Sequence, residues 1–281
     1  MLKILQKKKG MLMKVYKTSL IIIMILGIIF IGNSNPMKNL YKNSASIITG
    51  LKIDDKNKDS TQKESTKGKK QAEKYLICID PGHQAKGDWK SEPVGPGSSY
   101  QKARVSSGTV GISTKKPEYI LNLEASEVLK HILMSKGFKV IMTRENHDVN
   151  ISNKERATFA NDNNANMVIR IHADGSDDTS ITGASILIPS QKGKYTSSIF
   201  EASYECANLV KNKMDDGGFK VNGIFERDDL TGFNWSKVPV VLVEMGFMSN
   251  YNEDEMMSNK KYQRKMMQSI ADGVEEYFQT N

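Results

Sequence analysis

Two of the four histidines in this 281-residue chain follow apolar runs that are typical of buried strands. His83 ends the sequence Asp80-Pro-Gly-His83, and His172 lies in Val168-Ile-Arg-Ile-His172-Ala-Asp174. Imidazole is the commonest protein ligand for zinc, and a catalytic zinc site needs three protein ligands with one position left for water. Two histidines therefore need one carboxylate, for which Glu118 and Glu244 are the candidates. Residue types alone leave this site open, because a histidine at a strand end can also be purely structural.

The remaining titratable residues are weaker candidates. His131 lies in an amphipathic helical pattern and His147 in a polar loop, so we expect both to be ordinary surface or packed residues. Arg144 follows the second predicted strand, where it either holds a substrate carboxylate or pairs with an acidic neighbour, and we favour the pairing. For Glu124 and Glu127 we expect a solvated helix face.

Strands and helices alternate over residues 75–281. The apolar patterns predict strands at Tyr75–Ile79, Phe138–Met142, Met167–Ile171, Gly183–Pro189 and Val238–Val243, and helices at Pro117–Lys136, Ser152–Asn161, Ser197–Met214 and Lys261–Phe278. This alternation indicates one α/β catalytic domain with a mostly parallel or mixed central sheet and helices on both faces. Ligands of such sheets bind beyond the carboxyl ends of the strands, which is where His83, His172 and Glu244 fall, whereas Glu118 is expected in the first turn of a helix. We expect Gly95–Lys116 to be a loop, long enough to shape a substrate groove.

Charge is distributed unevenly along the chain. Residues 1–74 hold 16 Lys and Arg against 5 Asp and Glu, whereas residues 75–281 hold 24 against 27. A nucleic-acid-binding domain carries its cationic excess on its folded surface, so this distribution argues against nucleic acid as a partner. The two cysteines, Cys78 and Cys206, are too few for a disulfide scaffold and are expected to be small buried residues.

The N-terminal residues read as an export segment followed by a linker. Six lysines at positions 3, 7, 8, 9, 14 and 17 precede the 13 apolar residues Leu20–Gly32. Residues 1–33 are therefore predicted to be a signal peptide or an uncleaved membrane anchor, with the following chain outside the cytoplasm. Residues 34–74 are polar and predicted to be a flexible linker.

Six motifs follow one another in residues 75–281. They are Ile77-Cys-Ile-Asp-Pro-Gly-His83, Pro117-Glu118-Tyr-Ile-Leu-Asn122-Leu, Val140-Ile-Met-Thr-Arg144, Ile151-Ser-Asn-Lys-Glu155-Arg156-Ala, Ile171-His172-Ala and Val241-Leu-Val-Glu244-Met-Gly-Phe-Met-Ser-Asn250. In types and order they resemble the zinc-dependent N-acetylmuramoyl-L-alanine amidases of bacterial cell walls. The resemblance implies hydrolysis of the amide between the lactyl group of N-acetylmuramic acid and L-alanine, with peptidoglycan as the substrate.

The resemblance also implies roles for individual residues. Carried over by position, it makes His83, Glu118 and His172 the ligands of one Zn²⁺ per chain, and Glu244 the catalytic carboxylate. Glu118 is preferred to Glu124 because the acidic ligand of the family stands four residues before an Asn-Leu pair, here Asn122-Leu123.

The chain departs from the family pattern at two places. Gln84-Ala-Lys-Gly87-Asp88 replaces the common Gly-Gly pair after the first histidine, and Arg170 and Asp174 replace the frequent Ser and Asn around His172. These changes remove no expected ligand, so they concern substrate contacts and specificity.

Two other functions compete with this hypothesis. One is a non-catalytic, tethered wall-binding or regulatory module, and the other is a zinc peptidase or deacetylase that acts on peptidoglycan. A binding module needs no general base, so Glu244 favours an enzyme. The sequence has no evident repeat or wall-binding domain, so we expect the linker or an unidentified activator or targeting protein to localise it, with the membrane as a further partner of the N-terminal segment.

Overall fold

The computed structural model describes residues 74–281. The predicted export segment, residues 1–33, and all but the last residue of the predicted linker, residues 34–74, lie outside the described residues. Within residues 74–281, none of the helices combines the length and the apolar character needed to cross a membrane.

The described chain contains eight strands and six helices. The strands are β1 (Leu76–Pro81), β2 (Asp88–Pro93), β3 (Gln101–Val105), β4 (Lys139–Met142), β5 (Met167–Asp174), β6 (Ala184–Pro189), β7 (Val221–Arg227) and β8 (Val240–Phe247). The helices are α1 (Glu118–Ser135), α2 (Asn153–Asp162), α3 (Ser197–Asp216), α4 (Thr231–Asn234), α5 (Tyr251–Ser258) and α6 (Lys260–Thr280).

Six strands form the central sheet, in the order β4-β1-β5-β8-β6-β7. The neighbouring pairs are parallel except β6 and β8, which are antiparallel. The predicted α/β fold with a mostly parallel, mixed sheet is therefore confirmed. Because β1, β5 and β8 are adjacent and parallel, their carboxyl ends meet at one edge of the sheet.

Helices cover both faces of the sheet. On one face, α1, α3 and α6 pack over a core that includes Ile77, Ile79, Ile169, Leu129, Val210 and Ile270. On the other face, α2 and α4 pack over a smaller cluster that includes Cys78, Val168, Leu242, Ala160 and Phe233. Successive residues of a strand point to opposite faces, so β1 contributes to both clusters. Cys78 and Cys206 are buried free thiols, as expected, and burial raises the pKa of both.

Local sequence determines where the site-bearing helices begin. Pro117 precedes α1 with an extended backbone, so Glu118 occupies the first turn. Ser152 and Glu155 form a capping box at the start of α2, in which each side chain bonds the backbone N–H of the other residue. Asn250 caps α5, because its side chain accepts hydrogen bonds from the backbone N–H groups of Asn252 and Glu253.

Five elements lie where the sequence predicted none, namely the strands β2, β3 and β7 and the short helices α4 and α5. The predicted loop and the residues before it contain the antiparallel hairpin β2–β3, and β7 adds a strand at one edge of the sheet. These strands are half exposed and mix polar with apolar residues, so they lack the apolar run that signals a buried strand. The short helix α4 occupies part of the segment after β7.

Candidate metal centre

Three predicted ligands come together at the carboxyl edge of the sheet. Potential ligand atoms of His83, Glu118 and His172 all lie within 4.8 Å of one another. Glu118 Oε1 is 3.2 Å from His83 Nε2 and 3.4 Å from His172 Nδ1. Glu244 lines the same cleft, which has a volume of about 490 Å³. Four residues that are far apart in sequence therefore meet in one place.

His83 lies in the turn after β1 with a left-handed backbone, at φ +60°. Such a conformation costs a residue with a Cβ roughly 1–2 kcal/mol, so the surrounding structure has to stabilise it. Arg156 Nη2 donates to the carbonyl of His83 at 3.0 Å, and Arg144 Nη2 donates to that of Gly82 at 2.9 Å. The ring is oriented separately, because His83 Nδ1 is 3.0 Å from the backbone oxygen of Ser106, just beyond β3.

Arg144 has the structural role that we favoured over substrate binding, but its partners are not the acidic neighbour that we expected. Among the described residues its guanidinium bonds four backbone carbonyls, those of Pro81, Gly82, Tyr119 and Asn146, and it forms no ion pair with an acidic neighbour. The physical reason is that the turn after β1 presents several carbonyls to a buried cation. Burial, together with the positive charge of Arg156, lowers the pKa of Arg144 to about 10.

A buried carboxylate lies beneath this turn, at Asp80. It accepts bonds from Arg156 Nη1 and Arg170 Nε, both at 2.8 Å, and from the hydroxyl of Thr143. Burial opposes ionisation of Asp80, but the two arginines and the hydroxyl hold its pKa well below its usual value. In the sequence, Asp80 stands out only as part of Asp80-Pro-Gly-His83, because nothing local reveals two arginines from other elements.

Both carboxylate oxygens of Glu118 accept hydrogen bonds. Oε1 accepts bonds from Asn122 Nδ2 at 2.9 Å and from the N–H of Ala173 at 3.2 Å, and Oε2 accepts one from the N–H of Thr109 at 3.0 Å. The residue is 3% exposed. Burial acts to raise its pKa, but the neighbouring imidazoles of His172 and His83 lower it overall, so Glu118 is an anion.

His172 projects from β5 against the backbone of the first turn. A Cβ at Gly82 would collide with its ring, so only glycine leaves room for the imidazole there. Burial, together with the neighbouring His83 and Arg170, lowers the pKa of His172 to about 4, although the contact with Glu118 acts to raise it. The imidazole is therefore neutral at neutral pH, which is the form that binds metal.

Glu244 is on β8, in register with His172 of β5. Both residues lie inside their strands, whereas the sequence predicted that the strands end just before them; the strands run on to Asp174 and Phe247. Pairing continues because a bulge after this register pair absorbs one extra residue, at Met245-Gly246. Burial, then the charges of Glu118 and Asp174, raise the pKa of Glu244 well above its usual value.

The three clustered residues fit Zn²⁺. They offer two imidazoles and one carboxylate, which is a donor set of catalytic zinc sites. Among the described residues, His172 Nε2 and Glu244 Oε2 are buried and have no hydrogen-bond partner. Buried polar atoms are normally satisfied, so these two atoms point to a group that the site is built to receive. His131 and His147 are outside the cluster: His131 is exposed, and His147 packs edge-on against Tyr119.

Comparison with known proteins identifies one family. The family described as N-acetylmuramoyl-L-alanine amidase matches residues 77–276. The chain is 26% identical over 215 residues to the N-acetylmuramoyl-L-alanine amidase Rv3717 of Mycobacterium tuberculosis, covering 73% of this chain and 87% of that protein. It is 24% identical to the amidase AmiA of Escherichia coli, covering 79% and 82%.

Solved structures agree with the sequence relatives. The amidase Ami1 of Mycobacterium abscessus superposes with a TM-score of 0.66 at 26% identity, covering 73% of this chain and 98% of that one. The catalytic domain of the amidase CwlV of Bacillus (Paenibacillus) polymyxa superposes with a TM-score of 0.59 at 26% identity, covering 74% and 99%. The similarity therefore extends over nearly all of both solved chains.

Proposed function

Because the chain belongs to the N-acetylmuramoyl-L-alanine amidase family, we propose that His83, Glu118 and His172 hold one Zn²⁺ and that Glu244 is its catalytic carboxylate. The enzyme hydrolyses the amide between N-acetylmuramic acid and L-alanine in peptidoglycan. The observation that carries the proposed roles is the convergence of these residues from the turn after β1, from α1, from β5 and from β8 in one cleft.

Each proposed ligand is prepared for its role by its neighbours. The neutral imidazole of His172 has a lone pair to offer, and the charge of Glu118 offsets part of the charge of a divalent cation. The bond between His83 Nδ1 and the carbonyl of Ser106 directs Nε2 of His83 toward Glu118. Asn122 and two backbone N–H groups fix the carboxylate of Glu118 without excluding a metal.

Glu244 carries the proton transfers. Bound Zn²⁺ supplies Lewis acidity that polarises the amide carbonyl and lowers the pKa of water to ~7. Glu244 accepts a proton from the attacking water as the new C–O bond forms, then donates it to the nitrogen of L-alanine as the C–N bond breaks. The raised pKa makes the carboxylate of Glu244 a stronger base toward that water, whereas donating the proton afterwards costs it more free energy than an unshifted carboxyl would need.

The substrate requires the catalytic domain to act outside the cytoplasm. The lysine-rich start and the apolar residues 20–32 support export, with residues 1–33 as signal peptide or anchor and residues 34–74 as a linker that lets the domain reach the wall. An activator or targeting protein is a further proposed partner. One relative, the CwlD amidase of Clostridioides difficile, has been solved in complex with the lipoprotein GerS.

Digestion of purified peptidoglycan by the full chain tests this function. We expect mass spectrometry to find free lactyl carboxyl groups on muramic acid and free amino groups on L-alanine, and a zinc chelator to abolish both. Readdition of Zn²⁺ after removal of the chelator should restore the products. Cleavage within the stem peptide, or release of acetate, would instead identify a peptidase or a deacetylase, and turnover that survives chelation would contradict the zinc site.

A further inference from the structure

Two clefts meet at the metal centre and share His83, His172 and Glu244. The first cleft, of about 490 Å³, is also lined by Glu118, Asp174 and Asp177, and its lining from the described residues includes no lysine or arginine. The second cleft, of about 260 Å³, is also lined by Lys102, Arg170 and Arg227. The centre therefore divides an acidic cleft from a cationic one.

The cations of the second cleft come from three elements and are incompletely neutralised. Lys102 of β3 and Arg227 at the end of β7 both bind the carboxylate of Asp229. Lys102 Nζ lies 3.1 Å from Oδ2, and Arg227 Nε and Nη2 lie 2.7 Å from Oδ1 and 2.9 Å from Oδ2. Arg170 of β5 shares Asp80 with Arg156. Four cations thus share two carboxylates, and only Glu244 of the lining residues adds another acidic group.

Lys102 and Arg227 also have donors to spare. An ammonium group has three N–H donors and a guanidinium has five, and Asp229 takes two from each of them. Their side chains are 32% and 40% exposed, so a ligand in the cleft can reach them. The pair faces the same space as the imidazoles of the metal centre.

We propose that the peptide side of the scissile amide lies in the cationic cleft, where Lys102 and Arg227 bind a carboxylate of the stem peptide. This inference rests on the proposed function. The acyl side of the amide is an uncharged sugar rich in hydroxyl groups, whereas the amine side is a peptide that ends in a carboxylate. Cations attract that carboxylate, and the acids of the first cleft repel it while accepting hydrogen bonds from hydroxyl groups.

The reach of the peptide agrees with this orientation. An extended chain spans ~3.3–3.6 Å per residue, so carboxylates on the second or third residue stand roughly 7–10 Å from the cleaved bond. The cleft adjoins the centre directly, because His83 and His172 belong to its lining. Lys102 and Arg227 would then determine a preference for peptides with free carboxylates over amidated ones.

Soluble muramyl peptides test the orientation. The substrates are a peptide with free carboxylates and two analogues, one with a carboxamide at the second residue and one with a carboxamide at the C-terminus. For the full-length enzyme, we expect a higher kcat/KM with the free acid than with an amidated analogue. The position at which a carboxamide lowers kcat/KM identifies the carboxylate that Lys102 and Arg227 bind. In Lys102→Met and Arg227→Gln, the ratio of kcat/KM for acid over amide should fall about tenfold, mainly through KM.

Two further variants separate charge recognition from folding. Arg227→Lys keeps the charge and should retain more of the ratio than Arg227→Gln. Lys211→Met removes a partly exposed α3 lysine that pairs with Asp215 and lines neither cleft, and it is the matched control. Zinc content and thermal unfolding of every variant show whether the site is intact.

The outcomes distinguish this inference from the function itself. The orientation would be overturned if the unaltered enzyme had equal kcat/KM for the acid and the amides. It would also be overturned if the acid-over-amide ratio of kcat/KM were unchanged in both Lys102→Met and Arg227→Gln. Neither result would contradict the amidase activity. No cleavage of the muramyl amide in any substrate would instead overturn the proposed function.

Discussion

His172 of β5 and Glu244 of β8 are register partners in the central parallel pair of strands. Partners in adjacent strands point to the same face of the sheet, so backbone pairing alone brings the proposed ligand and the proposed proton acceptor together. A bulge shifts the register immediately beyond them, and pairing resumes at Asp174 and Phe247. Strand pairing in the centre of the sheet therefore fixes the separation between the proposed metal ligand and the proposed general base.

Glu244→Gln should separate catalysis from metal binding. Glutamine keeps the shape of the side chain but cannot accept and return a proton, so kcat should fall about 10²–10⁴-fold. Zinc content by elemental analysis should stay at one equivalent, because Glu244 is not among the three clustered ligands. Substantial turnover in this variant would remove Glu244 from its proposed role.

His83→Ala and His172→Ala should each lose zinc together with activity. Each change removes one of only three donors, and the remaining imidazole and carboxylate make a weak site. Zinc content after dialysis and the increase in unfolding temperature on adding Zn²⁺ are the measurements. His131→Ala is the matched control, since that histidine is exposed and outside the cluster. If both ligand variants kept a full equivalent of zinc, the ligand set would be wrong.

Gly82→Ala should weaken zinc binding without removing a ligand. The added Cβ would displace the ring of His172, and by analogy with losing a supporting partner we expect a loss of about 10–100-fold in affinity. Gly97→Ala is a useful comparison, because its backbone is left-handed but nothing lies near its Cβ. It should lower stability and leave affinity for Zn²⁺ as it was. Equal affinities in both variants would show that the close contact at Gly82 is unimportant.

Asp80→Asn should destabilise the protein and change its response to acid. The folded pKa of Asp80 lies below its unfolded value of ~3.9, so its contribution is present above about pH 4 and is lost as the pH falls through the folded pKa. Breaking a buried ion pair costs about 3–5 kcal/mol, because Arg156 and Arg170 remain buried.

Urea unfolding between pH 3 and pH 7, in chelator throughout, measures this contribution. The difference in unfolding free energy between the unaltered protein and Asp80→Asn should be largest near neutral pH and smaller at pH 3. Asp216→Asn, at the exposed end of α3, should change little at any pH. A difference that does not vary with pH would show that the pKa of Asp80 is not depressed on folding.

The sequence revealed the elements with strong local signals. Continuous apolar runs predicted β5 and β8, and Pro117 marked the start of α1, because burial on both sheet faces and proline geometry leave a record in neighbouring residues. The hairpin β2–β3 and the edge strand β7 were not predicted, since half-exposed strands tolerate polar residues.

The sequence alone predicted the α/β class, showed that the cationic excess is confined to residues 1–74 and, through resemblance, indicated the four residues of the proposed centre. Residue types alone could not choose between Glu118 and Glu244 as the third ligand. Tertiary structure decided that Glu118 lies between the imidazoles, that Arg144 binds backbone carbonyls, and that Lys102, Arg170 and Arg227 share a cleft. The physical reason is that these relationships join residues from separate elements, and strand order and register, which bring such elements together, leave no local pattern in the chain.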